Sequence, residues 1–239
     1  MYPCVAASVE GFIQQLAVSY ISNGYFFYVT GHVPEGKDPA RVDAKLIERY
    51  GVGISKWTRA RRKQSGLANV QYLRFDHLFV LLATHGEHPF FEREGELVRD
   101  VRRVPLKAFG YALSYKHGHV HVRIEREEFK GLKAYFLSRA THRKAETLED
   151  ELRSLPYEPY APVRRQLLQL FRHVNRARRL AGFNQLSIDC LRLRRRIVKP
   201  FVRLVALENA LVGGRWGEFE RGGGASSSPS HQHGSVVTA

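Results

Sequence analysis

Residues 70–84 read VQYLRFDHLFVLLAT, and the reading of this stretch decides the fold. Two apolar runs, residues 70–75 and 78–84, are split by Asp76-His77, a tight-turn signal, so a β-hairpin is predicted here. Upstream, residues 25–30 (YFFYVT) are aromatic and β-branched with no polar alternation. They predict a central strand buried on both faces, closed by Pro34. Downstream, residues 109–115 and 120–125 predict a second hairpin, joined by Lys116-His117-Gly118-His119.

Around these strands the period changes to that of helices. Val9, Phe12, Ile13, Leu16, Ala17 and Tyr20 share one face of a helix over 8–21, with Ser8 as its cap and Asn23-Gly24 as its stop. Asp38-Pro39 opens a second helix that runs to Tyr50 and buries Val42, Leu46 and Tyr50. Further helices are expected over 128–143 and 148–155. After Pro156, Pro159 and Pro162 a long one spans 163–181 and stops at Gly182. The expected class is α+β: a mostly antiparallel sheet covered on one face by helices, with a C-terminal basic helical region. The expected division is a core domain over 1–145, the basic helical region over 146–212, and a Gly/Ser/His-rich tail over 213–239.

The 239 residues carry 38 Lys and Arg against 23 Asp and Glu, a formal net charge of +15. A hydrophobic fraction of 44% is enough for a core, which argues against global disorder. An excess of positive charge this large calls for a polyanionic partner, and nucleic acid, DNA or RNA, is the commonest match. Cys4 and Cys190 stand far apart, which excludes a disulfide scaffold and a Cys-based zinc finger. The first residues lack a basic leader, and no window approaches a membrane span, so a cytoplasmic location without a membrane partner is expected, nucleoid association included. No GxxxxGK[ST], GxGxxG, GxSxG or HExxH motif occurs, which leaves nucleotide hydrolysis, dinucleotide redox chemistry and serine hydrolysis without support.

The positive charge is clustered. On the helix over 163–181 an apolar stripe (Val163, Leu167, Leu170, Phe171, Val174, Ala177, Ala181) opposes Arg165, Arg172, Arg176 and Arg179, with Arg164 and Arg178 flanking them. Such an arginine ridge can follow a phosphate backbone, or simply be a solvated face. Arg194, Arg195 and Arg196 form a second cluster. Arg59, Arg61 and Arg62 form a third beside Trp57, which is either a stacking platform for a single strand or a buried anchor.

The chemistry, if the chain has any, is expected at His117-Gly118-His119-Val120-His121. On a strand, His119 and His121 project to one face, close enough to share a divalent cation, and His117 joins them only if the strand begins before Gly118. His32, His85 and His88 are candidates for a third ligand, and Glu87 for a ligand or base. The sequence His119-Val120-His121 resembles the His-hydrophobe-His motif of the HUH endonuclease superfamily, which includes the Y1 transposases. The resemblance covers residues 25–160, and its sharp element is those three residues. It implies Mg²⁺ or Mn²⁺ at the histidine pair, polarising a phosphate of single-stranded DNA. It also implies a downstream tyrosine, Tyr160 or Tyr157, as nucleophile, and a metal-dependent nickase or transposase-like activity. Both tyrosines lie among prolines and lack the YxxK pattern of the initiators. A non-catalytic DNA- or RNA-binding accessory protein is the alternative, and a basic surface that meets an acidic protein is a third.

Overall fold

A computed structural model describes residues 2–201. The expected tail over 213–239 and the last part of the basic region, 202–212, lie outside the described residues, as do His231 and His233. The architecture is α+β with antiparallel sheets.

The hairpin that decides the fold forms as expected, from β2 (Val70–Phe75) and β3 (Leu78–Ala83) turning at Asp76, whose φ is 52°. β3 also pairs with β1 (Phe27–His32), and β1 pairs briefly with β4 (Arg99–Asp100), giving a four-stranded sheet in the order β2-β3-β1-β4. The expectation of one sheet covered on one face needs correcting. The second hairpin, β6 (Tyr111–Lys116) with β7 (His119–Ile124), forms a separate three-stranded sheet with β5 (Leu106–Ala108). The unforeseen β5 enters through a two-residue turn at Phe109-Gly110, where both φ angles are positive (48° and 75°). Asn or Asp usually supplies that turn, so Phe-Gly gave no signal.

The four-stranded sheet is covered on both faces. Tyr28, Leu73, Val80 and Leu82 pack into one core with Phe12 and Leu16. Val29, Val70, Tyr72, Leu81 and Ala83 pack into another with Tyr50, Val52 and Phe90. The cause lies in β3, where Val80, Leu81, Leu82 and Ala83 are all buried, because a strand apolar at successive positions needs cover on both sides.

The first helix begins as α1 (Val9–Gln14) under the Ser8 cap, widens into a π-helical turn over Gln15–Tyr20, and ends in a left-handed Gly24. α2 (Pro39–Arg49) is capped by Asp38, whose carboxylate accepts the Ala40 N–H at 2.9 Å. It buries a residue the apolar pattern passes over: Asp43 takes Arg74 Nε and Nη2 at 2.7 and 2.8 Å and the Tyr72 hydroxyl at 2.5 Å. That bidentate pair ties α2 to β2. α3 (Lys56–Gln64) and the short α4 (Pro89–Glu94) follow on either side of the first hairpin. α5 (Arg126–Arg139), α6 (Ala145–Arg153) and α7 (Ala161–Leu180) then close over the second sheet. Leu148, Leu152, Val163, Leu167, Leu170 and Val174 belong to the same core as Leu113, Val122 and Ile124, so the packing shows no break near residue 145. No helix among the described residues is long and apolar enough to cross a membrane.

Candidate nucleic-acid interface

α7 is an amphipathic rod whose inner stripe fixes the direction of its outer face. Val163, Leu167, Leu170 and Val174 are buried, and Arg164, Arg165, Arg172, Arg176 and Arg179 are exposed on the far side. None of these five arginines lies in an ion pair with a described carboxylate. Arg178 departs from the expected ridge. It is 2% exposed, and its Nη1 donates to the carbonyls of Ala140 and Arg143 at 2.6 and 2.9 Å, while Nε donates to Asn184 O at 2.5 Å. Four residues beyond Val174, it falls on the inward stripe, where its guanidinium satisfies carbonyls at the end of α5.

The second cluster divides in the same way. Arg192 pairs with the buried Glu158 at 2.8 Å, and the Arg196 N–H donates to the same carboxylate at 3.0 Å, which fixes the course of the chain. Arg194 and Arg196 remain exposed, and Arg195 lies over the Tyr160 ring at 4.9 Å. In α3, five cations (Lys56, Arg59, Arg61, Arg62, Lys63) stand in nine residues without an acid, and nothing on the helix is buried. Trp57 is 78% exposed, so of its two readings the buried anchor is excluded. Arg62 is partly engaged, donating to Ala68 O at 2.9 Å, and Arg59 donates to Ile54 O at 2.9 Å.

The histidines separate. His119 and His121 do share one face, because β7 starts at His119, after a turn in which His117 has a φ of 51°. The turn therefore withholds His117 from that face. His32 pairs with Leu78 at one end of the β1–β3 ladder, and His85 follows the other end, where Phe27 pairs with Ala83. Five residues of strand put them about 17 Å apart. His88 caps α4, its Nδ1 accepting the Phe90 N–H at 3.0 Å. Burial, with Arg62 and Arg93 adding to it, lowers its pKa below the usual imidazole range. Among the described residues no three His, Cys, Asp or Glu side chains gather closely enough to hold a metal ion. His119 and His121 alone do not make a site suited to Mg²⁺ or Mn²⁺, which prefer several oxygen ligands.

Tyr157 and Tyr160 open onto different surfaces. Tyr157 meets the Tyr111 ring edge-on, centroids 5.4 Å apart, and lines a groove with Leu132, Tyr135 and Leu155. Tyr160, at the start of α7, borders a hollow of about 330 Å³ together with His119, Gly118 and Arg195. Burial raises the Tyr160 hydroxyl above the usual phenol pKa, with Arg195 opposing it.

The sequence matches no protein-family model and no curated protein. The arrangement of charge must therefore be read from the chain itself. Two features went unforeseen. Beside the expected His119 and His121, strand register sets Lys116 and Arg123 on the same face of the second sheet, with the small Ala112 and Ser114 between them. The alternation of 119, 121 and 123 was the available signal. The π-helical turn and the 3-10 turn that follows it (Ile21–Asn23) form one wall of two hollows. Ala17, Val18 and Ser22 border the one with Tyr160 and Arg195, and Gln15, Ser19 and Asn23 border another beneath α3. No residue in 15–20 announces a π-turn, though such turns are common at functional sites.

Proposed function

We propose that this chain binds nucleic acid as a single strand, along a route that joins α3, the hollow beside Tyr160 and the arginine ridge of α7. One observation carries the reading: five exposed arginines on α7 have no carboxylate partner among the described residues. Phosphates that occupy such a ridge release condensed counterions, so affinity falls with salt. The exposed Trp57 beside the α3 cations adds a stacking surface, which suits unpaired bases better than a duplex. A cytoplasmic, nucleoid-associated location goes with this role.

The test is fluorescence anisotropy with a labelled ten-nucleotide single strand over a range of salt. Changing Arg165, Arg172 and Arg176 together to Ala weakens binding and makes the log K against log salt slope shallower by about 2, roughly 0.7 per lost contact. Retention that is absent, or indifferent to salt, gives the surface to an acidic protein instead.

A second reading, strand cleavage, is favoured by the hollow that Tyr160 shares with His119 and Arg195. There the Tyr160 oxygen would attack phosphorus and release a 3′-hydroxyl, leaving a 5′-phosphotyrosine. Against it, burial raises the phenol above its usual pKa, which disfavours the ionised form that attacks. A covalent adduct with single-stranded DNA that is lost in Tyr160→Phe supports cleavage, and its absence in the unaltered chain leaves binding alone.

A further inference from the structure

The groove that Tyr157 lines differs in kind from the basic surfaces: it is apolar, and carboxylates border it in a chain of net charge +15. It encloses about 670 Å³ between α5 and the end of α6. Leu132, Tyr135, Phe136, Leu155 and Tyr157 supply the apolar lining, and Glu127, Glu128 and Glu151 the acids. Of the α5 cations, Lys130 pairs with Glu127 at 2.9 Å and Arg139 lies over the Tyr135 ring at 3.8 Å. Glu128 and Glu151 form no ion pair among the described residues.

A glycine leaves the groove bare. Gly131 stands inside α5, on the face that lines the groove. Glycine is a weak helix former, and no packing within the chain demands it here, since a Cβ at Gly131 would meet no atom within 4 Å. The missing side chain lets an incoming group approach the helix backbone closely.

The complementary half lies elsewhere on the same chain. Trp57 is the largest of the exposed apolar side chains, and it stands on α3 among five cations and no acid. Arg61, four residues on, shares its face, is exposed and has no described carboxylate partner. The nine residues of α3 span about 14 Å, and the groove runs along α5 from Glu127 to Phe136 over about the same length. An indole among the rings of Tyr135, Phe136 and Tyr157 gains aromatic contacts beyond its buried area.

We infer that the groove seats α3 of a second copy of this chain, with Trp57 inserted between α5 and α6 and Arg61 facing Glu128 and Glu151. The two surfaces are unlike, so each copy offers one half and receives the other. A nine-residue helix covers less than a standard interface, so the association is weak and shows at high concentration. The inference does not depend on the nucleic-acid reading, and a strand stacked on Trp57 competes with the second copy.

Sedimentation velocity on the full chain, freed of nucleic acid, tests this over a wide range of concentration at low salt. The average mass is expected to rise with concentration and to fall when salt is added, because the ionic contacts are screened. Trp57→Ala and Gly131→Leu are each expected to weaken association at least tenfold, and so is Glu128→Arg, a charge reversal at an exposed position. Leu enters open space and favours the helix, so Gly131→Leu should keep the fold, with an unchanged or raised Tm as the check. Trp57→Ala and Gly131→Leu lack opposite halves, so mixing the two is expected to restore a one-to-one pair. A chain that is monomeric at every concentration overturns the inference. So does association that survives either variant, or a mixture of the two that stays monomeric.

Discussion

α7 and α3 are both basic helices, yet they are held in place by opposite means. α7 sinks four apolar side chains into the main core and shows its arginines on the remaining face. α3 buries nothing and is held by polar bonds: Ser55 Oγ accepts the Thr58 N–H at 3.1 Å, Arg62 and Arg59 bond to nearby carbonyls, and Asn69 Nδ2 donates to Arg59 O at 2.9 Å. In α7 anchoring and charge display use different residues, so each can be removed without the other. In α3 some of the same arginines do both. The lesson is that a basic cluster's role is set by what its other face touches.

The largest effect that tests the contrast is on stability. Leu170 is fully buried in α7, and Leu170→Ala is expected to cost about 2–5 kcal/mol in urea unfolding, the usual range for emptying a core leucine. Trp57→Ala, on the exposed side of α3, should alter stability by less than about 0.5 kcal/mol. Similar losses for the two would show that α3 is anchored through Trp57 after all, and the contrast would dissolve.

The next effect is on binding. Trp57→Ala is expected to weaken the ten-nucleotide strand by about 1–3 kcal/mol, the worth of one stacked base. Anisotropy at fixed salt measures it. A loss matched by an equal loss with an abasic strand would point to phosphate contact in place of stacking, and would make α3 a second ridge like α7.

How much of this was legible beforehand follows from the same contrast. α7 could be read because an apolar stripe and a charged stripe in phase at 3.6 residues identify both faces at once, and five of the six arginines fall where the period puts them. Arg178 did not, since an arginine on the inward stripe reads as charge until its carbonyl partners are known. The hairpins over 70–83 and 111–124 were legible from apolar runs and turn residues, but the division into two sheets was not. It depends on β5 and β4, segments of three and two residues with no period to detect. Asp43 was hidden because an acid on an apolar face looks like a flaw until Arg74 and Tyr72 are seen against it. The floor of the hollow beneath α3 was hidden for a related reason. Gln71 lies in β2, while Asn69 and Thr84 are the residues just before β2 and just after β3, and only folding sets them under α3.

The smallest effect gives the sharpest comparison, because it is made within α7. Arg176 and Arg178 are two residues apart, so they point to different sides of the helix, one exposed and one 2% exposed. Arg176→Ala is expected to leave stability unchanged and reduce the salt slope of strand binding by about 0.7, one phosphate contact. Arg178→Ala removes the donor from three carbonyls, so it should lower stability and, in the fraction that remains folded, leave the slope alone. The two variants carry the same change in net charge, so any effect of overall charge on binding is common to both. If their slopes shift equally, the chain is attracting phosphate through its total charge, and the ridge has no separate existence as a binding surface.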